Sequence, residues 1–357
     1  MKRTRKKIRA IVRAGKKHRK EAMVAGALAG ILLLVGGLLL IGGPHFEVLG
    51  KKEDQSAQFG THPLTGIACE NNQKRPYAVM LAADAVARPL SGIAAADMVV
   101  EMPVLDEGIT RFMAVFACSE PAEIGSVRSS RHDFIPLAAA FDAMYGHWGG
   151  SHFALDILNT GVIDNFDGLT NRGNPYYRKD GAPAPHNGFT SFERLEKAAL
   201  ALGYRQTYEG PTYLVKEPEP NEDATGATLS IAYGGPFNVD YIYSAQSNHY
   251  TRFRGGAPEK DRTSGATVEA SVVAVLFAAS RQIEPDYNDV DITGEGRLLL
   301  FQDGRVTEGV WRKDDTPREG PLRFFDSDGE EIAFVPGIRW LQYVDTGTDI
   351  SWRDESY

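Results

Sequence analysis

The side chains with chemistry to offer crowd into four segments, EMPVLDEGITRF (101–112), IGSVRSSRHDF (124–134), YGHWGGSH (145–152) and YYRKDGAPAPHNGFTS (176–191). Each sets Arg or His beside Gly, Ser or Asn in loop-like sequence, where side-chain donors and backbone amides can converge on a ligand. Arg111, Arg128 and Arg131 are central, because a guanidinium is a planar fork matched to carboxylate or phosphate. Glu107, His147, Ser151, His186 and Asn187 complete the candidate ligand-binding set. His147 and His186 could serve as general acid and base, since imidazole titrates near neutral pH. Ser151 could be a nucleophile beside His152 or His147, but the G-x-S-x-G elbow is absent because Phe153 stands two residues on. The same serine suits a helix cap. In the plainer alternative, the arginines are structural and pair with Asp106, Glu107 or Asp133.

A metal would draw on His132, His147, His152 and His186 with Asp133 or Asp156. No H-x-x-x-H or H-E-x-x-H spacing exists, so no metal and no cofactor is expected.

Helices and strands must position these segments. YAVMLA (77–82), DMVVEM (97–102) and ITRFMAVFA (109–117) read as strands; HDFIPLAAAFDAM (132–144) and SFERLEKAALALG (191–203) read as helices, the second capped by Ser191. A break follows at VKEPEPNEDATGAT (215–228), rich in acids and prolines. Beyond it the strand-like runs are ATLSIAY (227–233), YIYS (241–244), VVAVLFA (272–278), RLLLFQDGRVTEGVWRK (297–313), EIAFVP (331–336) and WLQYVD (340–345), with Asp-Gly as a hairpin turn. The fold class expected is α+β: an N-terminal transmembrane helix, a mixed α/β domain over 63–215, a linker at 216–228 and a mostly β C-terminal domain over 229–350.

The N-terminal expectation rests on charge. Residues 1–20 hold eleven Lys and Arg and no acid, and the 22 residues of 22–43 are uncharged. That run reaches roughly 33 Å as a helix against a hydrocarbon core of about 30 Å. It predicts a basic cytoplasmic tail (1–21), a single membrane span (22–43), a linker (44–62) and extracytoplasmic globular protein in a plasma membrane. After the span, 28 Lys and Arg stand against 46 Asp and Glu, a net charge near −18, which argues against a nucleic-acid partner. Cys69 and Cys118 both fall on the outer side, where a pair is expected to be joined.

The same segments carry a family resemblance. RPYAVM (75–80), RPLSG (88–92), ADMVVE (96–101), DEGITRF (106–112), IGSVRSSR (124–131), HWGGS (147–151) and APHNGFTS (184–191) occur in the order of the YerB-like family, catalogued as domain of unknown function 3048. VWRK (310–313) and PGIRWLQ (336–342) resemble that family's separate C-terminal domain. Glu107 replaces the family's first Gly of EGGITR, Ser126 replaces its Pro in IGPVRS, and an Arg usual shortly before PHN is missing. The resemblance implies a bacterial envelope protein, and family members often carry a lipid-modified Cys where this chain has an apolar run.

Together these readings point to an envelope protein that binds an anionic ligand, such as a cell-wall fragment, in an Arg/His-lined pocket. Two rivals stand beside it. One is a non-catalytic docking partner of envelope-synthesis proteins; the other is a hydrolase or transferase using His147 and His186.

Overall fold

The computed structural model describes residues 59–353 except 71, 106–107, 225–226 and 315–319. The basic tail, the expected span at 22–43, most of the 44–62 linker and Glu107 lie outside the described residues.

The α+β expectation is corrected: the described part is mostly β, with three short α-helices, Phe134–Ala140, His152–Leu158 and Phe192–Leu202. Among the described residues no helix is long and apolar enough to cross a membrane. The reason lies in the sheet. Ten strands join in the order Leu322–Asp326, Arg305–Lys313, Gly294–Gln302, Val272–Phe277, Arg339–Val344, Met98–Pro103, Thr110–Phe116, Tyr77–Ala82, Met144–His147 and Asn165–Asp167. Strands from both ends of the sequence therefore share one sheet, and Arg339–Val344 pairs in parallel with both Met98–Pro103 and Val272–Phe277. Helices of seven to eleven residues cannot cover a sheet of that width. Much of the cover on one face comes from a second sheet that includes Thr228–Ile231, Val239–Ser244 and His249–Arg254.

The central strands are apolar on both faces because both faces are covered. Val79, Val99, Phe112, Val273 and Trp340 join the core that holds Leu229 and Tyr241 of the second sheet. Their neighbours Met80, Val100, Met113, Ala274 and Leu341 join the opposite core with Phe134, Leu137 and Tyr213. Alternation along each strand thus fills two cores.

Local signals explain several boundaries. The Ser191 hydroxyl accepts a hydrogen bond from the Arg194 amide at 3.2 Å, and Gly203 ends the helix in the left-handed region. Asp303 and Gly304, both with positive φ, turn the chain between Gly294–Gln302 and Arg305–Lys313. The segment HDFIPLAAAFDAM gives one helix of two turns and then enters the strand Met144–His147.

Two cross-links hold distant parts together. Cys69 and Cys118 form a disulfide. Glu101, fully buried, accepts hydrogen bonds from Thr110 Oγ1 (2.6 Å), Arg252 Nη2 (2.5 Å) and Arg254 Nη2 (2.6 Å), tying the large sheet to the second one. Arg252 also pairs with Glu259, and its guanidinium lies 4.3 Å from the Trp340 ring centroid.

Candidate anion-binding site

The segment 127–131 is the hub. Its Arg128 amide donates to Met80 O at the end of the strand Tyr77–Ala82, while Val127 N donates to Gly188 O. Trp148 N donates to Arg128 O, Ser130 N to Gly149 O, and Ser151 N to Ser130 O. Backbone hydrogen bonds thus draw IGSVRSSR, HWGGS and APHNGFTS together beside the carboxyl ends of the parallel strands Tyr77–Ala82 and Met144–His147. Crevices at such ends are where open sheets commonly take ligands. The contacts need small residues: Gly149 has a φ of +63°, and a Cβ on Gly188 would lie 2.5 Å from the Trp148 ring.

Arg111 enters from the next strand, opposite Ala82. It is 6% exposed, and its Nη1 donates to Ser129 O at 2.9 Å. Burial, then repulsion from Arg131 and Arg128, push its guanidinium down to about 9. Arg131 donates from Nη1 to Ser130 O, and its guanidinium carbon stands 5.3 Å from the Tyr287 ring centroid. Burial lowers its pKa as well, with Tyr287 opposing and Arg128 adding to the fall. The Nε atoms of Arg111, Arg128 and Arg131 are all buried without a hydrogen-bond partner. None of the three guanidinium groups forms an ion pair with an acid among the described residues, Asp133 included. Asp84 acts on Arg111 only at longer range.

His186 belongs to this group. It is buried, its Nδ1 has no partner, and its pKa is lowered by burial and by Arg128 and Arg111, with Asp84 opposing. Its neighbour Asn187 accepts from Arg178 Nη1 at 2.6 Å through Oδ1, and Arg178 stacks on Trp148 at 3.9 Å.

His147 is placed elsewhere. Nδ1 donates to Gly149 O at 2.9 Å, Nε2 lies 3.3 Å from Asn165 Oδ1, and burial lowers its pKa. It lines a groove of about 380 Å³ with Asn165, Asp167, Arg172 and Tyr204, which the three arginines do not line. His186 does not line this groove. Ser151 caps the helix His152–Leu158, its hydroxyl accepting from Ala154 N at 3.2 Å.

One donor set able to hold a cation does assemble, from residues that no spacing rule connects. His132 Nε2 lies 3.2 Å from Asp133 Oδ1 and 3.1 Å from Asp289 Oδ1. Burial pushes the Asp133 carboxyl up to about 7. Asp289 and Tyr287 come from the hairpin Ser280–Glu284 and Tyr287–Val290, more than 150 residues away in sequence, and a local motif search has no access to such partners. Asp84 gives as little signal, lying just past the strand YAVMLA in sequence without a polar motif.

Comparison with known proteins agrees with the motifs. The family description "Protein of unknown function (DUF3048) N-terminal domain" matches residues 64–205, and the corresponding C-terminal domain matches residues 229–341. The chain belongs to this family. It is 35% identical over 289 residues to a Bacillus subtilis (strain 168) protein described as "Putative lipoprotein YerB", covering 79% of this chain and 85% of that relative. The crystal structure of the Bacillus subtilis YerB protein is similar to it with a TM-score of 0.73 and 32% identity, covering 82% of this chain and 99% of that one.

Proposed function

We propose that this DUF3048 protein works on the outer side of a bacterial envelope membrane and binds an anionic ligand, of the kind found in cell-wall fragments, through Arg111, Arg128, Arg131 and His186. The observation that carries the reading is the gathering of three mutually repelling guanidinium groups, with buried unpartnered Nε atoms and no paired acid among the described residues. Buried charge without a counter-charge is costly, and a bound anion removes that cost. Location is supported by the lipoprotein description of the Bacillus relative and by the Cys69–Cys118 disulfide, which suits an oxidising compartment. Binding without turnover fits the site, because Ser151 is engaged as a cap and His147 stands in another groove.

The test is calorimetric titration of the full-length protein with soluble cell-wall fragments, alongside Arg128→Ala. Loss of about 1.5–3 kcal/mol of binding with an unchanged melting temperature is expected. Equal binding by both proteins would refute the site. Protease added to intact spheroplasts should digest the folded part; protection until lysis would refute the location.

A further inference from the structure

The anion's chemical class can be narrowed by counting charges and acceptors around the cluster, an inference that rests on the binding reading above. Three guanidinium groups bring three positive charges. The acids that act on them are Asp84, felt by Arg111 and His186, and Asp133, felt by Arg131; Tyr145 and Tyr287 add only phenols. Three guanidinium groups against two carboxylates leave the cluster with an excess of positive charge.

Acceptor demand points the same way. Each guanidinium has five N–H donors. Backbone oxygens accept from Arg111 (Ser129 O) and Arg131 (Ser130 O), whereas the Arg128 guanidinium has no acceptor among the described residues. Three buried Nε donors remain. A carboxylate brings one charge and two oxygens, enough for one bidentate fork. A terminal phosphoryl group brings close to two charges and three strong acceptor oxygens in one tetrahedron. We infer that the site takes a phosphoryl dianion, a phosphate monoester or a diphosphate end, in preference to a carboxylate.

Such a group could arrive on a soluble molecule or on a lipid headgroup, and the experiment separates the two. Full-length protein would be titrated with inorganic pyrophosphate, inorganic phosphate, glutarate and acetate at matched ionic strength. It would then be mixed with phosphatidylcholine vesicles with and without a polyprenyl diphosphate. Pyrophosphate should bind about tenfold or more tighter than glutarate, and Arg128→Ala should lose about tenfold or more of that affinity. Arg128→Lys, which keeps the charge and loses the fork, should retain part of it. Binding only to the doped vesicles, with the same Arg128 dependence, also supports the phosphoryl class and assigns its source to lipid. Glutarate binding as tightly as pyrophosphate would overturn the phosphoryl class and leave the anion site standing. If no anion, soluble or on a vesicle, shows Arg128-dependent binding, both inferences fall. Because Arg128 donates no side-chain hydrogen bond to the described protein, misfolding should not obscure the result, and the melting temperature of each variant checks this.

Discussion

Asp133→Asn should stabilise the folded protein at alkaline pH and leave it little changed at acid pH. Asp133 is 4% exposed, and its carboxyl meets the Val290 amide (3.3 Å) and His132 Nε2 (3.2 Å), the same nitrogen that Asp289 Oδ1 approaches to 3.1 Å. Burial is the dominant cause of its rise from 3.8 to about 7, which His132 and the Val290 amide only partly offset. Between those two values the folded chain holds a proton that the unfolded chain has released. Stability from this group is therefore greatest near pH 4, falls as pH rises toward 7, and is flat above. The full loss is about 4 kcal/mol. An amide keeps an oxygen for the Val290 N–H and carries no charge to bury, so the variant should recover much of that loss at pH 8 and none of it at pH 4. Urea unfolding of both proteins at the two pH values measures the difference. A variant less stable than its parent by the same margin at both would show that the carboxyl is ionised and paired in the fold, and would refute the argument.

Further outcomes follow from contacts already described. Arg128→Ala should leave the melting temperature unchanged or raise it, since it relieves repulsion on the buried Arg111; a thermal scan showing a marked fall would mean that Arg128 has a structural partner. Cys69→Ser should cost about 4 kcal/mol in chemical unfolding, because the bridge closes a loop with a sequence separation of 49, and reductant should destabilise the parent protein but not the variant. Glu101→Gln should cost about 3–5 kcal/mol, as it leaves the Arg252 and Arg254 charges short of a partner in a dry interior, and unfolding midpoints will report it.

The individual elements were far more legible in the sequence than their arrangement. Alternation and apolar runs placed Tyr77–Ala82, Val272–Phe277 and Arg339–Val344 to within a residue or two, because burial on both faces leaves a local trace. Ser191 announced its helix through capping chemistry, again a local signal. EIAFVP read as a strand but gives only isolated bridges through Glu331 and Phe334, since its apolar residues pack into the core without continuous pairing. Strand order carries no such trace, and so the mixed α/β expectation overestimated the share of helix. At the site, Arg111, Arg128, Arg131 and His186 stood out as donors in Gly- and Ser-rich loops. His147 looked equal to them by composition, yet its position is set by backbone hydrogen bonds that no spacing reveals. Tyr287, Asp289 and Asp84 act from segments with no polar motif of their own.

The parallel seam at Arg339–Val344 bears on how the chain reaches its final state. That strand lies mid-sheet, between Val272–Phe277 and Met98–Pro103, yet it is the last of the sheet's strands to emerge from a ribosome. Until it inserts, both of its neighbours present open backbone edges of the kind that recruit other chains. Closing the gap joins residues some 240 positions apart, a slow, non-local step. The interval between synthesis and insertion is when this protein would be most prone to aggregate, and most dependent on whatever shields nascent chains.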